Sequence, residues 1–361
     1  MTTVGVMGAG QLGLMLGQAG KAMGVEFAFL DPAESPPAQA AGPVLSQPFD
    51  SDEGMAMLAS CDVVTYEFEN VPVAAVERLS RKVPVLPPAG ALHHAQDRLR
   101  EKQLFEALEI PVPAWHAVSS RQELDDAIAT AGLPLILKTR RLGYDGKGQF
   151  VLRTEQDAAA AWREVGGNPS IAEQWIPFDR EVSVFGARSR DGQTVVYPIT
   201  QNEHRHGILH LSKAPAEGSS TAREAAHHLH KLLTYFDYVG ILALELFVVG
   251  DKLLANEFAP RVHNSGHWTI EGSKTSQFEN HLRAILGLPL GDTSPLGHVG
   301  MINLIGSMPT NPAPFRAPGL FLHDYGKAER PGRKLGHLTI VAPDAETRDR
   351  ELSKALKVLG N

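Results

Sequence analysis

Two glutamates, Glu245 and Glu257, sit within one apolar stretch, LALELFVVGDKLLANEFAPRVHNSGHWT, and nothing obvious nearby neutralises either one. A carboxylate among Leu242, Ala243, Leu244, Leu246 and Phe247 is costly unless it meets a partner charge or a metal ion. The β-like runs on either side of Val249-Gly250-Asp251-Lys252 read as a hairpin. A longer connection sets Glu245 opposite Glu257 on one face, whereas a tight Gly-Asp turn puts them on opposite faces unless a bulge intervenes. The sequence leaves that parity open. Two carboxylates with Asn256 suit Mg²⁺, which shares its remaining positions with substrate phosphates and so points to a nucleoside triphosphate. Arg261, His263, Asn264, Ser265 and His267 follow directly, a run of donors able to hold an anion beside the metal. The competing reading is a buried polar hairpin satisfied by neighbouring arginines.

Further along, Lys138 closes the apolar strand LPLILK and is followed by Thr139, Arg140, Arg141 and the glycine-rich Gly143-Tyr144-Asp145-Gly146-Lys147-Gly148. Glycines let a loop turn its amides onto phosphates while lysine supplies a point charge, although a basic hairpin with an Asp-Gly turn has the same composition. Glu173-Gln174-Trp175-Ile176 ends a β-like run, where backbone can meet an adenine edge and Glu173 can accept from its amine. Glu181 is near enough to reach a ribose, and His204 can contact phosphate. His227, His228 and His230 read as the decoration of a solvated helix. Lys327, Arg330, Arg333 and Lys334 crowd a Pro-Gly turn, a composition suited to phosphate. At the amino terminus Gly8-Ala9-Gly10-Gln11-Leu12-Gly13, with Asp31 after the next strand, matches the dinucleotide fingerprint, yet the same glycines serve a tight turn and close helix packing in any α/β unit.

These groups need elements to position them. The first ninety or so residues alternate strands (VGVM, FAFL, DVVTY, PVLP) with helices, an α/β pattern implying a parallel sheet. A helix over AQDRLREKQLFEALE presents Leu99, Leu104, Phe105 and Leu108 on one face. From about Trp115 to Gly291 helices mix with antiparallel-looking strands (LPLILK, GQFVLR, SIAEQW, EVSVFGARS, TVVYPIT and the glutamate hairpin), an α+β pattern. MINLIG, LFLHDYG and LGHLTIVAP form a last strand-rich segment before a terminal helix. The chain of 361 residues holds two or three domains. A net charge of −7 argues against a nucleic-acid binder, and Cys61, the single cysteine, excludes a disulfide framework. With no signal peptide visible and no apolar run of membrane-spanning length, a cytoplasmic enzyme is expected.

Taken together, GAGQLGLM, RLGYDGKGQ, EQWI, NEFAPRVHNSGHWT and RPGRKLGHLT resemble the ATP-grasp ligases, and within them the N5-carboxyaminoimidazole ribonucleotide synthetases of purine biosynthesis, in order over nearly the whole chain. The resemblance implies an ATP-grasp fold with a Rossmann-like N-terminal domain over 1–95, an ATP-grasp domain over 96–295 and a small C-terminal domain over 296–361. It implies a ligase that uses ATP and Mg²⁺ to phosphorylate bicarbonate, then transfers the carboxyl group to 5-aminoimidazole ribonucleotide. Carried over residue by residue, it sets Arg98, Lys138, the loop 143–148, Glu173, Gln174, Trp175, Ile176, Glu181, His204, Asn256 and Glu257 around ATP, with Glu245 and Glu257 on the metal. Arg261, His263 and Asn264 hold bicarbonate or carboxyphosphate. Tyr144, Asp145 and Lys147 approach the imidazole nucleotide, and Lys327, Arg333 and Lys334 take its phosphate, with Lys327 also counted among the catalytic groups. A homodimer is expected, with small-molecule partners and neither nucleic acid nor membrane. Leu14 and Leu142 depart from the family, which commonly has arginine and glycine there.

Overall fold

The computed structural model describes residues 2–143, 148–216 and 218–360. Hydrophobic alternation in the first third produces a parallel sheet of four strands in the order β3-β2-β1-β4, from β1 (Thr3–Met7), β2 (Glu26–Leu30), β3 (Val44–Leu45) and β4 (Val63–Tyr66). Helices α1 (Gln11–Ala22), α2 (Asp52–Ala59) and α3 (Val73–Ser80) cover it. The expected strand PVLP is a single parallel bridge between Val64 and Val85, since Pro84 and Pro87 have no N–H to extend a ladder. Leu14 is buried in α1.

Two short helices, α4 (Ala89–Ala95) and α5 (Arg98–Ala107), lead onward. Asp97 caps α5 by accepting the Leu99 amide, and α5 buries Glu101 and Lys102 alongside Leu104 and Phe105. Leu99 and Leu108 of the expected apolar face are only half-buried. A second sheet, antiparallel in the order β5-β8-β6-β7, comprises β5 (Trp115–Val118), β6 (Leu135–Thr139), β7 (Gln149–Leu152) and β8 (Ser170–Gln174). It carries α6 (Arg121–Ala131) and α7 (Ala158–Glu164), whose apolar faces form one cluster with Leu135, Leu137 and Leu152. Leu142, in the loop after β6, has φ +63°, a left-handed conformation that costs a non-glycine residue roughly 1 kcal/mol.

The third sheet is the frame of the molecule. It runs β14-β13-β9-β11-β12-β15-β17-β16, with one further strand beside β9. Its members are β9 (Arg180–Arg188), β10 (Thr194–Val196), β11 (Thr200–Arg205), β12 (Ile208–Ala214), β13 (Gly240–Val249), β14 (Lys252–Ala259), β15 (His298–Ile305), β16 (Leu320–Asp324) and β17 (Lys334–Ala342). TVVYPIT, read as one strand, divides at Pro198 into β10 and β11. The last three strands extend this same sheet, since β12 pairs with β15, while α11 (Ala345–Val358) gives the segment its own small apolar cluster. Helix α8 (Ser219–Tyr235) packs on β9 and β13, with His228 buried rather than solvated. Short α9 (Thr269–Gly272) and longer α10 (Gln277–Leu286) complete the fold. One core cluster unites Leu12, Met15 and Phe27 of the N-terminal unit with Leu282 and Ile285 of α10 and Phe185 and Trp268 beyond. Each such large side chain contributes roughly 1.5–3 kcal/mol on burial.

His281 of α10 stitches these units together. Its Nδ1 accepts the Ile241 amide of β13 at 3.1 Å, which leaves Nε2–H to donate to Thr65 of β4 at 2.9 Å. Burial lowers its pKa to about 4. The unfolded chain therefore binds a proton at higher pH than the folded one, and stability falls as pH drops from about 6.5 to about 4, by up to about 3 kcal/mol from this group. Denaturant titrations between pH 7 and 4 should show this loss, and His281→Gln should remove its share of the slope; an identical slope in the variant would exclude His281 as its source.

Candidate active site

The question of parity is settled by a combination the sequence allowed. The turn is tight: Val249 pairs with Lys252, and Gly250 takes the positive φ (+57°) that such a hairpin needs. That register continues to Leu246 opposite Ala255, then shifts, so that Glu245 faces Glu257 and Asn256 is the extra residue of a β-bulge. Directly opposed residues share a face, so both carboxylates point into one cleft of about 300 Å³, joined there by Asn256. Phe247, two residues beyond Glu245, lines the same cleft and stacks on Phe178 at 4.8 Å.

Neither glutamate is without a partner, but both partners come from outside the hairpin. Arg98, at the start of α5, donates to Glu257 at 2.9 Å, and His263 Nε2 lies 3.1 Å from Glu245. Burial opposes charge on Glu245, and the His263 hydrogen bond together with the nearby charges of His263, His204 and Lys334 overcomes it, holding the carboxyl well below its usual range. His263 is oriented from beneath. Ser212 donates to Asn202 (2.8 Å), Asn202 to Ser183 (3.0 Å) and Ser183 to Ser265 (2.7 Å), and the Ser265 hydroxyl lies 2.8 Å from His263 Nδ1. With donors running that way, Nδ1 accepts and Nε2–H points at Glu245. Ser265 and His267, grouped with the anion donors by sequence, thus turn inward, His267 against Phe278 and His337.

The cleft also gathers Lys138, Glu181, His204, Arg261, Asn264 and Lys334. Glu181 and His204 pair at 2.8 Å on neighbouring strands. Arg261 is held by Glu69, a cleft residue that the sequence reading passed over. Asn264 is different: its side-chain amide is buried, and neither polar atom has a hydrogen-bond partner among the described residues. Arg98 reaches toward the carbonyl of Gly143, and Gly148 closes the same loop; Tyr144, Asp145, Gly146 and Lys147 lie outside the described residues.

Other expected residues stand back from the cleft. Glu173 is 2% exposed, bonded to Lys138 and 3.0 Å from Lys102. Burial alone would raise its pKa, but Lys102, Lys138 and Arg98 bring it down to about 2. Its carboxylate is ion-paired with both lysines, and Gln174, Trp175 and Ile176 follow it where β8 ends. Trp175 lies beneath Arg153, 5.5 Å from its ring centroid. Lys327 donates to Gln11, and burial followed by the charge of Arg333 lowers its pKa to about 8. Arg333 donates to the Ala328 carbonyl at 3.1 Å. Lys102 thus ties α5 to the cleft through Asn256, and Lys327 ties the segment after β16 to Gln11 at the start of α1.

The glycine-rich turn after β1 is filled by the chain itself. Glu67 accepts the amides of Gly10 (2.8 Å) and Gly13 (3.2 Å), and Asp31 accepts those of Ala9 and Ala33, each at 2.8 Å. The amides that would cradle a pyrophosphate are occupied by carboxylates. Asp31, directly after β2, also caps the turn that ends that strand by accepting the Ala33 amide.

Comparison with known proteins agrees with this anatomy. Models of a ribonucleotide synthetase preATP-grasp domain, an ATP-grasp domain and a phosphoribosylaminoimidazole carboxylase C-terminal domain match residues 1–96, 103–278 and 300–351. The chain is 47% identical to the N5-carboxyaminoimidazole ribonucleotide synthase of Pseudomonas aeruginosa, over 97% of this chain and 98% of that one. It is similar to the crystal structure of the synthetase from Thermus thermophilus, with TM-score 0.95, 46% identity and 99% of each chain covered. The Aspergillus clavatus enzyme in complex with ADP and 5-aminoimidazole ribonucleotide aligns with TM-score 0.91 and 30% identity, over 99% of this chain and 98% of that one.

A filled glycine turn and a charged cleft make opposite demands on ligands. At about 100 times its dissociation constant a ligand stabilises the folded state by about 2.7 kcal/mol. MgATP should accordingly raise the thermal midpoint, and NADH at the same concentration should leave it unchanged. A shift with NADH alone would show that the Glu67 and Asp31 contacts give way.

Proposed function

The chain belongs to the N5-carboxyaminoimidazole ribonucleotide synthase family, and from that premise we propose that this cleft carries out the family's reaction with the residues assigned below. The reaction is ATP- and bicarbonate-dependent carboxylation of 5-aminoimidazole ribonucleotide. The γ-phosphoryl group passes to a bicarbonate oxygen as its bond to ADP breaks, giving carboxyphosphate. The exocyclic amine then attacks the carboxyl carbon, phosphate departs, and the nitrogen loses a proton to leave the carbamate.

The observation that carries this reading is Asn264. A buried amide with both polar atoms unpartnered is costly by roughly 1–3 kcal/mol per group unless a ligand completes it. Its two ends, one donor and one acceptor, match a bicarbonate ion, which offers both acceptor oxygens and a hydroxyl. Arg261 and His263 flank it in the cleft and supply the positive and polar groups that an anion needs. Glu245, Glu257 and Asn256 present oxygen donors on one face of one hairpin, a set that fits Mg²⁺. Bound there, the ion would neutralise charge on the transferring phosphoryl group.

Lys138 and Arg98 extend that positive field toward the phosphates, in keeping with phosphoryl transfer that proceeds by positioning and electrostatics without a protein nucleophile. Phe247, Phe178, Ile136 and Leu209 give the cleft an apolar end suited to a purine, with Glu181 and His204 beside it for the ribose and phosphates. Lys327, Arg333 and Lys334 serve the phosphate of the imidazole nucleotide, and the loop 143–148, with Tyr144, Asp145 and Lys147, completes its site. A homodimer and a cytoplasmic setting belong to the same proposal.

Glu257→Ala should lower turnover by about 100-fold or more while leaving the circular dichroism spectrum unchanged, the scale expected for a group that stabilises transition-state charge. ADP release should require bicarbonate and rise with 5-aminoimidazole ribonucleotide, and labelled bicarbonate should appear in the carbamate. Unaltered turnover in the variant would remove Glu257 from the metal site, and bicarbonate-independent ADP release would sink the carboxyphosphate route.

A further inference from the structure

A β-bulge frees backbone groups that a regular ladder would pair or align, and this one lies on β14, an edge strand of the large sheet. On its outer side it meets α5 and the segment that follows it. The Ala255 amide donates to the Pro111 carbonyl at 2.7 Å. Lys102 Nζ donates to the carbonyls of Asn256 (2.7 Å) and Ala255 (3.3 Å). The Phe258 amide donates to Glu101 Oε1 at 2.8 Å. Residues 255 and 258 both turn their amides outward, an odd interval that a regular strand forbids and that the extra residue creates.

Glu101 and Lys102 are 2% and 0% exposed, among the most deeply buried charges of the chain. Burying two adjacent titratable side chains is expensive. Lys102 is directed at the bulge, and Glu101 reaches the strand just past it while lining a small cavity of about 60 Å³ beside Glu245 and Glu257. Lys102 also lies 3.0 Å from Glu173, whose other oxygen is bonded to Lys138. The pair therefore links the hairpin bearing the two glutamates to the lysine on the opposite sheet.

We infer that Glu101 and Lys102 are positioning residues for the reaction: they clamp the bulge at Asn256 from behind and so set the face on which Glu257 meets Glu245. Glu101 accepts after the bulge and Lys102 donates within it, so the two fix the register on both sides of the extra residue. The inference rests on the assignment of Glu245 and Glu257 to the metal made above.

The test compares Glu101→Met, which keeps volume and removes the acceptor, with Glu101→Gln, which keeps an acceptor. Kinetics at saturating MgATP are combined with amide hydrogen exchange over residues 253–259. The Met variant should lose about tenfold or more in kcat with little change in KM for the imidazole nucleotide, as expected for a misplaced transition-state contact. Exchange over 253–259 should quicken by about tenfold while β1, β6 and β17 keep their rates, marking a local opening rather than global loss. The Gln variant should stay within about threefold of the parent in both measurements. Unaltered exchange in the Met variant, or equal acceleration everywhere, overturns the clamp. Local acceleration with kcat intact overturns the positioning role together with the metal assignment beneath it. Should the Met variant not fold, the parent protein decides: a Phe258 amide that exchanges as fast as open loop amides overturns the clamp.

Discussion

The rest of the site depends on one inserted residue. Side chains alternate along a strand, so without Asn256 as an extra residue the tight Gly250-Asp251 turn would send Glu257 to the face opposite Glu245. Everything that gives the cleft its character is arranged around their meeting: Arg98 on one carboxylate, His263 on the other, and Lys138 on the facing sheet. A longer turn would have served the same parity. The bulge does it nearer the chemistry and also places the Asn256 side chain in the cleft.

Charge in this interior is handled by pairing across elements remote in sequence. Arg261 meets Glu69 of the N-terminal unit, Arg140 meets Asp97 at the cap of α5, and Glu173 lies between two lysines. Buried ion pairs seldom add net stability, because desolvation offsets most of the attraction. Their value here lies in fixed geometry. Each pair joins elements remote in sequence at or beside the cleft, so the apolar clusters supply cohesion and the ionic contacts supply alignment.

Much of this was legible in the sequence because it was encoded locally. Strand-helix alternation pointed to the parallel sheet, and the apolar setting of Glu245 and Glu257 flagged them as a pair. What escaped was set by contacts between distant segments. Glu101 and Lys102 lie outside the helix face read from Leu99, Leu104, Phe105 and Leu108, and nothing local shows that β14 will lie against them. Ser265 and His267 looked like donors for an anion, yet partners on β9 and β17 draw them inward. Phe247 carried a usable signal, its two-residue spacing from Glu245, which places both on one face of a strand. The lysine partner of Glu173 at position 102 was likewise out of local reach, since another element contributes it.

The amino-terminal turn has a wider meaning for how such sequences are classified. Its glycines keep the geometry of an anion receptor, but the guest is the protein's own Glu67, a tethered substitute for phosphate that never dissociates. A pattern search sees only the host and cannot see the guest, which sits more than fifty residues away. In this architecture the glycine turn serves as a latch between neighbouring strands, so the pattern of glycines and the use made of it are separate matters.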